Sequence, residues 1–263
     1  MYELYKKAKA DPSWHCKIYK ASETNIIDKF ELAQLKQNMT DEEYRQELEC
    51  DFSAAINGSI YGKIIDKLDA DNRITKINYD IGYPVHTAWD LGIADEGIIV
   101  FFQEIGRQIY FIDCLAKSGE GLPWFAKEIK NRDYVYGKHF APHDIEVRDF
   151  SNGLSRREVA YQLGIRFQVA PKLAVEEGIH ITSMMLARSY FDQQKCEVLI
   201  DALRHYHRKW SDNNKHFSKP THDWSSHFCD AVRIGAVSLT ENTAGKKPPQ
   251  SMAQNEYQVF GAN

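Results

Sequence analysis

Cysteine is scarce and scattered: Cys16, Cys50, Cys114, Cys196 and Cys229 are odd in number and form no C-x-x-C pair. That pattern suits free thiols in a reducing cytosol and excludes a disulfide frame or a structural zinc site. No apolar run approaches the ~20 residues that a membrane span needs, and the N-terminus lacks a signal-peptide pattern. A basic excess is missing too. The net charge of −4 argues against general coating of nucleic acid while leaving room for a local basic groove. No internal repeat occurs, and no G-x-x-x-x-G-K-[ST] phosphate loop, so the chain does not hold ATP in the P-loop manner.

What is present describes an ordinary globular protein. With 263 residues, 43% hydrophobic and 27% charged, the chain fits one large domain or one domain plus a smaller one. Its organising stretch is Thr87-Ala88-Trp89-Asp90-Leu91-Gly92, one acidic residue inside an apolar run. A carboxylate there is desolvated unless something positive meets it. Asp90 is either a satisfied or edge-exposed aspartate or a metal ligand on a rigid sheet. Convergence of other carboxylates would decide between the two.

Residues 1–70 show helical patterning and nothing chemical. The run 14–19 is strand-like, residues 28–37 suit a helix, and Thr40-Asp41-Glu42-Glu43 forms a capping box. Asn57-Gly58 marks a turn before another short helix. The polar break Asp69-Ala70-Asp71-Asn72 is the expected boundary. Three apolar runs follow at 86–93, 97–104 and 108–115, joined by links short enough for hairpins. Helices are expected over 121–136, 155–164, 173–193, 196–210 and 225–239, with short strands near 138–142 and 167–170. Residues 241–263 have the composition of a disordered tail. The expected fold class is α/β, with a mixed sheet that is antiparallel in its first three strands and parallel afterwards.

Three carboxylates stand out by position. Asp90 lies in the first strand, and Asp144 lies just past a strand's C-terminal end, where open α/β sheets place their sites. Asp230 lies in an apolar stretch of the last helix, three residues after His227 and on the same face. Oxygen donors with one imidazole suit Mg²⁺ or Mn²⁺ better than zinc. Two such ions can cleave a phosphodiester.

The layout resembles the ribonuclease H-like nucleases, and specific segments resemble the large terminase subunit of tailed bacteriophages. They are Trp89-Asp90-Leu91-Gly92, Ala141-Pro142-His143-Asp144, and 221–233, whose His227-Phe228-Cys229-Asp230-Ala231-Val232-Arg233 is similar to the family's H-x-x-D-A-hydrophobic-R helix. Gly153-Leu154-Ser155-Arg156 and Val169-Ala170-Pro171-Lys172 are similar to intervening segments. The resemblance implies a nuclease domain over 73–240, preceded at 1–72 by the end of an ATPase domain (looser, through Glu47-Leu48-Glu49-Cys50-Asp51-Phe52) and followed by the tail 241–263. It implies Asp90, Asp144 and Asp230 as ligands of two Mg²⁺ or Mn²⁺ ions, with His227 beside them. It further implies double-stranded DNA as substrate; a portal protein, a small terminase subunit and an ATPase motor as partners; and a place in the host cytoplasm, transiently at the procapsid portal. The missing phosphate loop departs from the family and leaves the motor to another part of the polypeptide or to a separate one. Asp95, Glu104, Asp113 and Asp149 are expected to be bystanders.

Basic residues cluster between 195 and 219. Arg204, Arg208 and Lys209, with Lys172 nearer the cleft, form either a solvated face or a track for DNA phosphates. No base-reading motif is evident, so cutting should show little sequence preference. Two other readings stay open: a resolvase- or transposase-like nuclease of the same fold, and a non-catalytic module that docks DNA or a portal.

Overall fold

The computed structural model describes residues 8–9, 11–24, 26–39, 44–45, 47–50, 58–92, 96–148, 153–211 and 216–244. The expected capping box at 40–43 lies outside them, as do Asp51, Phe52, Asp95, Asp149 and residues 245–263.

Helices α1 (Ala21–Thr24) and α2 (Lys29–Asn38) come first, α2 capped by Asp28, whose carboxylate accepts from the Phe30 and Glu31 amides. The run 14–19 is not a strand. Helix α3 (Gly62–Ala70) buries Ile65 and Leu68. A sheet then dominates, built from β1 (Ile74–Thr75), β2 (Val85–Asp90), β3 (Glu96–Ile105), β4 (Gln108–Ser118), β5 (Tyr136–Ala141), β6 (Phe167–Val169) and β7 (Ser189–Asp192). Their order is β1-β7-β4-β3-β2-β5-β6. β2, β3 and β4 pair antiparallel, and every other pairing in this sheet is parallel. This is the mixed sheet expected from the sequence.

Strand β3 explains why its sequence is a continuous apolar run: it is buried on both faces. Ile98, Val100 and Phe102 enter one core with Ala88, while Ile99 and Phe101 enter the other with Trp89. Helices α4 (Leu122–Lys130) and α5 (Arg156–Gln162) lie on the Trp89 side; α5 is held at its start by a Ser155–Glu158 capping box. The Ala88 side is covered by α3, α6 (Val175–Leu186), α7 (Glu197–His205) and α8 (Trp224–Ala244). Helix α3 precedes the expected boundary at 72 yet shares this core. With side chains alternating along a strand, Asp90 falls on the same face as Ala88, beneath α8. The helix comes close: a Cβ on Gly235 would lie 3.2 Å from Ala88 Cβ and 3.3 Å from Phe102 Cε1.

Two expected helices are corrected. The span 173–193 is not one helix, because α6 stops at Leu186 and Ser189–Asp192 becomes β7 between β1 and β4. Phe191 stacks on Phe111 with centroids 4.6 Å apart, and cross-strand packing of this kind overrides local propensity. Likewise α7 ends at His205, and Arg208–Ser211 (β8) pairs with His216–Pro220 (β9) in a separate two-stranded ribbon. Helix α8 also runs to Ala244, past the expected start of the tail.

The Trp89 side contains a buried polar chain. The Trp89 indole donates to Thr87 Oγ1 at 2.7 Å, and Thr87 Oγ1 lies 2.7 Å from His139 Nδ1. Burial pushes His139 down to about 4, so its ring is neutral at pH 7 and shares one proton with the Thr87 hydroxyl across this contact. Thr87→Val, nearly equal in shape, strands the indole N–H and the imidazole. The expected loss is about 2–3 kcal/mol by urea unfolding; an unchanged midpoint would show that the chain of bonds contributes nothing.

Candidate active site

Three elements bring the acidic residues together. Asp90 ends β2, which lies between β3 and β5 in the middle of the sheet. Asp144 is exposed on the 3₁₀ turn His143–Glu146 that follows β5, the parallel neighbour of β2. Asp230 projects from α8, which crosses β2, β3 and β5. Asp223 starts that helix by accepting from the Ser225 amide at 2.9 Å and hydroxyl at 2.6 Å.

His227 Nδ1 lies 3.1 Å from Asp90 Oδ2. Burial lifts Asp90 to about 6, the nearby Asp230 and more weakly Asp144 add to the rise, and His227 opposes it. Burial likewise holds Asp230 above the ordinary carboxylate range, against the pull of Arg233, His227 and His222. Two half-buried carboxylates thus share one site, each with a partner on one side, Arg233 for Asp230 and His227 for Asp90.

A cavity of about 170 Å³ opens on Asp90 and Asp230, lined also by His143, Lys172, Arg233 and apolar residues of the segment 170–174 and of α8; Asp144 does not line it. Lys172 therefore faces the same cleft as the acids. The other basic residues singled out in the sequence stand elsewhere. Arg204 is ion-paired with Asp66 at 3.3 Å and Asp69 at 2.8 Å, and Arg208 with Glu176 at 2.6 Å. Lys209 is exposed on β8. Asp113 is paired with Arg132 at 2.9 Å, and Glu104 is half-buried on β3.

The donors are carboxylates flanked by the imidazoles of His227 and His143, an oxygen-rich set suited to a hard divalent cation. Among the described residues no three His, Cys, Asp or Glu side chains already stand as a ready metal-binding group. The like charges of Asp90, Asp230 and Asp144 repel one another, and a cation would reverse that repulsion.

Two residues at the site had no role assigned from sequence. Arg233 forms an ion pair with Asp230, Nη1 to Oδ1 at 2.8 Å, and the i, i+3 spacing was a usable signal. His222 carries no such signal, because it precedes the helix. Its Nδ1 lies 3.0 Å from Ser226 Oγ and its ring 5.1 Å from that of His227.

No protein-family model and no curated protein sequence matches the chain. Among solved structures it is similar to the large terminase from a thermophilic bacteriophage, with a TM-score of 0.53 and 14% identity over 90% of this chain and 59% of that one. It is also similar to the P22 large terminase nuclease domain, with a TM-score of 0.51 and 18% identity over 64% of this chain and 89% of that one. The protein thus spans well under two thirds of the thermophilic phage's large terminase, and it has the fold of the nuclease domain of large terminases.

Proposed function

We propose that the protein is a divalent-metal-dependent endonuclease that cuts double-stranded DNA with little sequence preference, as part of a genome-packaging terminase. The observation that carries this reading is the convergence of Asp90 and Asp230, with Asp144 beside them, on a cleft that Lys172 also lines. In this reading Asp90, Asp144 and Asp230 hold two Mg²⁺ or Mn²⁺ ions. A divalent cation held by these residues would supply Lewis-acid chemistry for phosphodiester hydrolysis.

The chain's own side chains prepare the site. His227 fixes the orientation of the Asp90 carboxylate through their 3.1 Å contact. Lys172 offers positive charge to a phosphate entering the cleft, and Lys209, with Arg204 and Arg208 if their acidic partners release them, adds weaker contacts. In this reading the nuclease domain spans 73–240 and continues through α8 to Ala244, 1–72 is the end of an ATPase domain that lends α3 to the nuclease core, and 245–263 is a tail. The portal protein, a small terminase subunit and an ATPase motor are the proposed partners, and the host cytoplasm and procapsid portal the place of action.

The test is supercoiled plasmid incubated with Mn²⁺ or Mg²⁺, with and without ATP, across a salt series. The expected result is slow nicking and degradation, indifferent to ATP. Activity should fall steeply with salt, with a log–log slope of roughly 0.9 per phosphate contacted. Failure to cut with either metal would favour a docking module, selective cutting of branched DNA would favour a resolvase, and an ATP requirement would overturn the reading of this chain as sufficient for cleavage.

A further inference from the structure

Arg233 stands beside the cleft without a part in the chemistry proposed above, and the fold confines it. It forms an ion pair with Asp230, Nη1 to Oδ1 at 2.8 Å, one turn back along α8. Tyr206 lies beside it, and both line a neighbouring cavity. Its stem passes over α6 at Gly178, where a Cβ would lie 2.6 Å from Arg233 Cδ and 3.1 Å from Cγ. Only glycine leaves that passage open.

Tyr206 is itself fixed. Its ring stacks on Tyr61 with centroids 5.7 Å apart, and its carbonyl accepts from the Ile60 amide at 2.8 Å. The neighbouring backbone is strapped to the same stretch: the Arg208 amide donates to Gly58 O at 3.0 Å, and Ser59 Oγ donates to Arg204 O at 2.9 Å. An ordinary i, i+3 ion pair on a helix surface needs no such enclosure. Here the arginine side chain is 22% exposed and the aspartate 30%.

Resting on the nuclease reading, we propose that Arg233 is a positioning residue: it pins Oδ1 of Asp230 so that the other carboxylate oxygen is presented to a divalent cation in the cleft. Gly178 gives Arg233 its path, and Tyr206 flanks it. Supporting groups of this kind govern ligand orientation, and their loss typically weakens metal binding by about 10–100-fold. The rival role is direct contact with a DNA phosphate, since Arg233 also borders a second cavity, of about 420 Å³, with Lys219 and His222.

The experiment uses the full chain and four variants: Arg233→Met, Arg233→Lys, Gly178→Ala and Tyr206→Phe. Mn²⁺ affinity is measured by calorimetry, alongside the Mn²⁺ half-saturation, the KM for plasmid and the salt slope of nicking. Arg233→Met should weaken Mn²⁺ binding about tenfold or more with little change in KM for DNA or in salt slope, and Arg233→Lys should recover part of the loss. Gly178→Ala, which deletes no polar atom, should weaken Mn²⁺ binding in the same direction, and Tyr206→Phe should do so more mildly. These two carry the test if Arg233→Met fails to fold.

Folded Gly178→Ala and Tyr206→Phe proteins with wild-type Mn²⁺ affinity would overturn the proposal. So would an unchanged affinity in Arg233→Met with a salt slope reduced by about 0.9, which would assign Arg233 to a phosphate. A wild-type chain that binds no Mn²⁺ and cuts nothing would sink the nuclease reading together with this one. A wild-type chain that cuts, with variants that bind Mn²⁺ normally, would sink only the role of Arg233.

Discussion

Asp90→Asn is expected to abolish metal-dependent plasmid cleavage and, in the absence of metal, to make the protein more stable. The first effect follows from losing a charged ligand at the centre of the proposed site. Metal-centred stabilisation of a phosphoryl transition state is worth several kcal/mol, so the rate should fall by about 10³-fold or more. The second follows from burial. Asp90 titrates at about 6 in the folded protein, above its ordinary 3.8. Between those two values the folded state binds the proton more tightly than the unfolded state does. Stability therefore declines as pH rises through the window and stays at its lower value above it.

At about 1.4 kcal/mol per pH unit, the ionised carboxylate costs up to about 3 kcal/mol at pH 7.5. Asparagine removes most of that cost and weakens the contact with His227, leaving a net gain of about 1–3 kcal/mol. Unfolding in EDTA at pH 7.5 should show the gain, and at pH 3.5 it should vanish. With Mn²⁺ present the order should reverse, because only the wild-type carboxylate attracts the ion strongly. Cleavage by Asp90→Asn at the wild-type rate would remove Asp90 from the site. Equal stability at both pH values would mean that its burial has little energetic consequence.

The second large effect is a contrast among acids. Asp230→Asn and Asp144→Asn should each lose about 10²-fold or more of the cleavage rate, whereas Asp113→Asn should cut normally. Asp113 meets Arg132 at 2.9 Å, and Arg132 also lies over the Phe101 ring at 5.0 Å. Asp113→Asn should therefore appear as a stability loss of about 1–3 kcal/mol with nuclease activity intact. His227→Ala should fall between, near tenfold, since an imidazole that orients a carboxylate contributes less than the ligand itself. The measurement is single-turnover nicking at saturating Mn²⁺, paired with thermal unfolding to confirm that each variant is folded. An active Asp230→Asn beside an inactive but folded Asp113→Asn would place the site among different acids.

Much of this architecture was legible in the residues. The uninterrupted run Ile98–Phe102 announces a strand buried on both faces, and period-two alternation places Asp90 on one face with Ala88. The i, i+3 spacing of His227 and Asp230 puts both on one side of α8. These signals are local, set by the geometry of a strand or of a helical turn, and a single sequence carries them. It was on that local geometry that Asp90, Asp144 and Asp230 could be grouped before their positions were known.

What only the tertiary structure decided is of another kind. Strand β7 has four residues, too short a run for Tyr190 and Phe191 to mark a strand against the helical pattern before them. It exists because β1 and β4 offer backbone partners on both sides and Phe111 offers a ring, so residues that could have extended α6 pair instead. The ribbon β8–β9 likewise replaces the end of an expected helix, and Arg204 and Arg208 turn from free cations into partners of Asp66, Asp69 and Glu176. Distant residues also settle the polar groups: Thr87 meets His139 on the face away from the acids, and beside the acids Arg233 meets Gly178 on another helix and shares a cavity with Tyr206. By itself the sequence determined the faces on which the charged groups lie, because covalent geometry fixes the period of each element. The closure of those faces on one another, and hence the raised affinity of Asp90 for a proton, came from packing between segments far apart in the chain, whose free energy no single stretch of sequence contains.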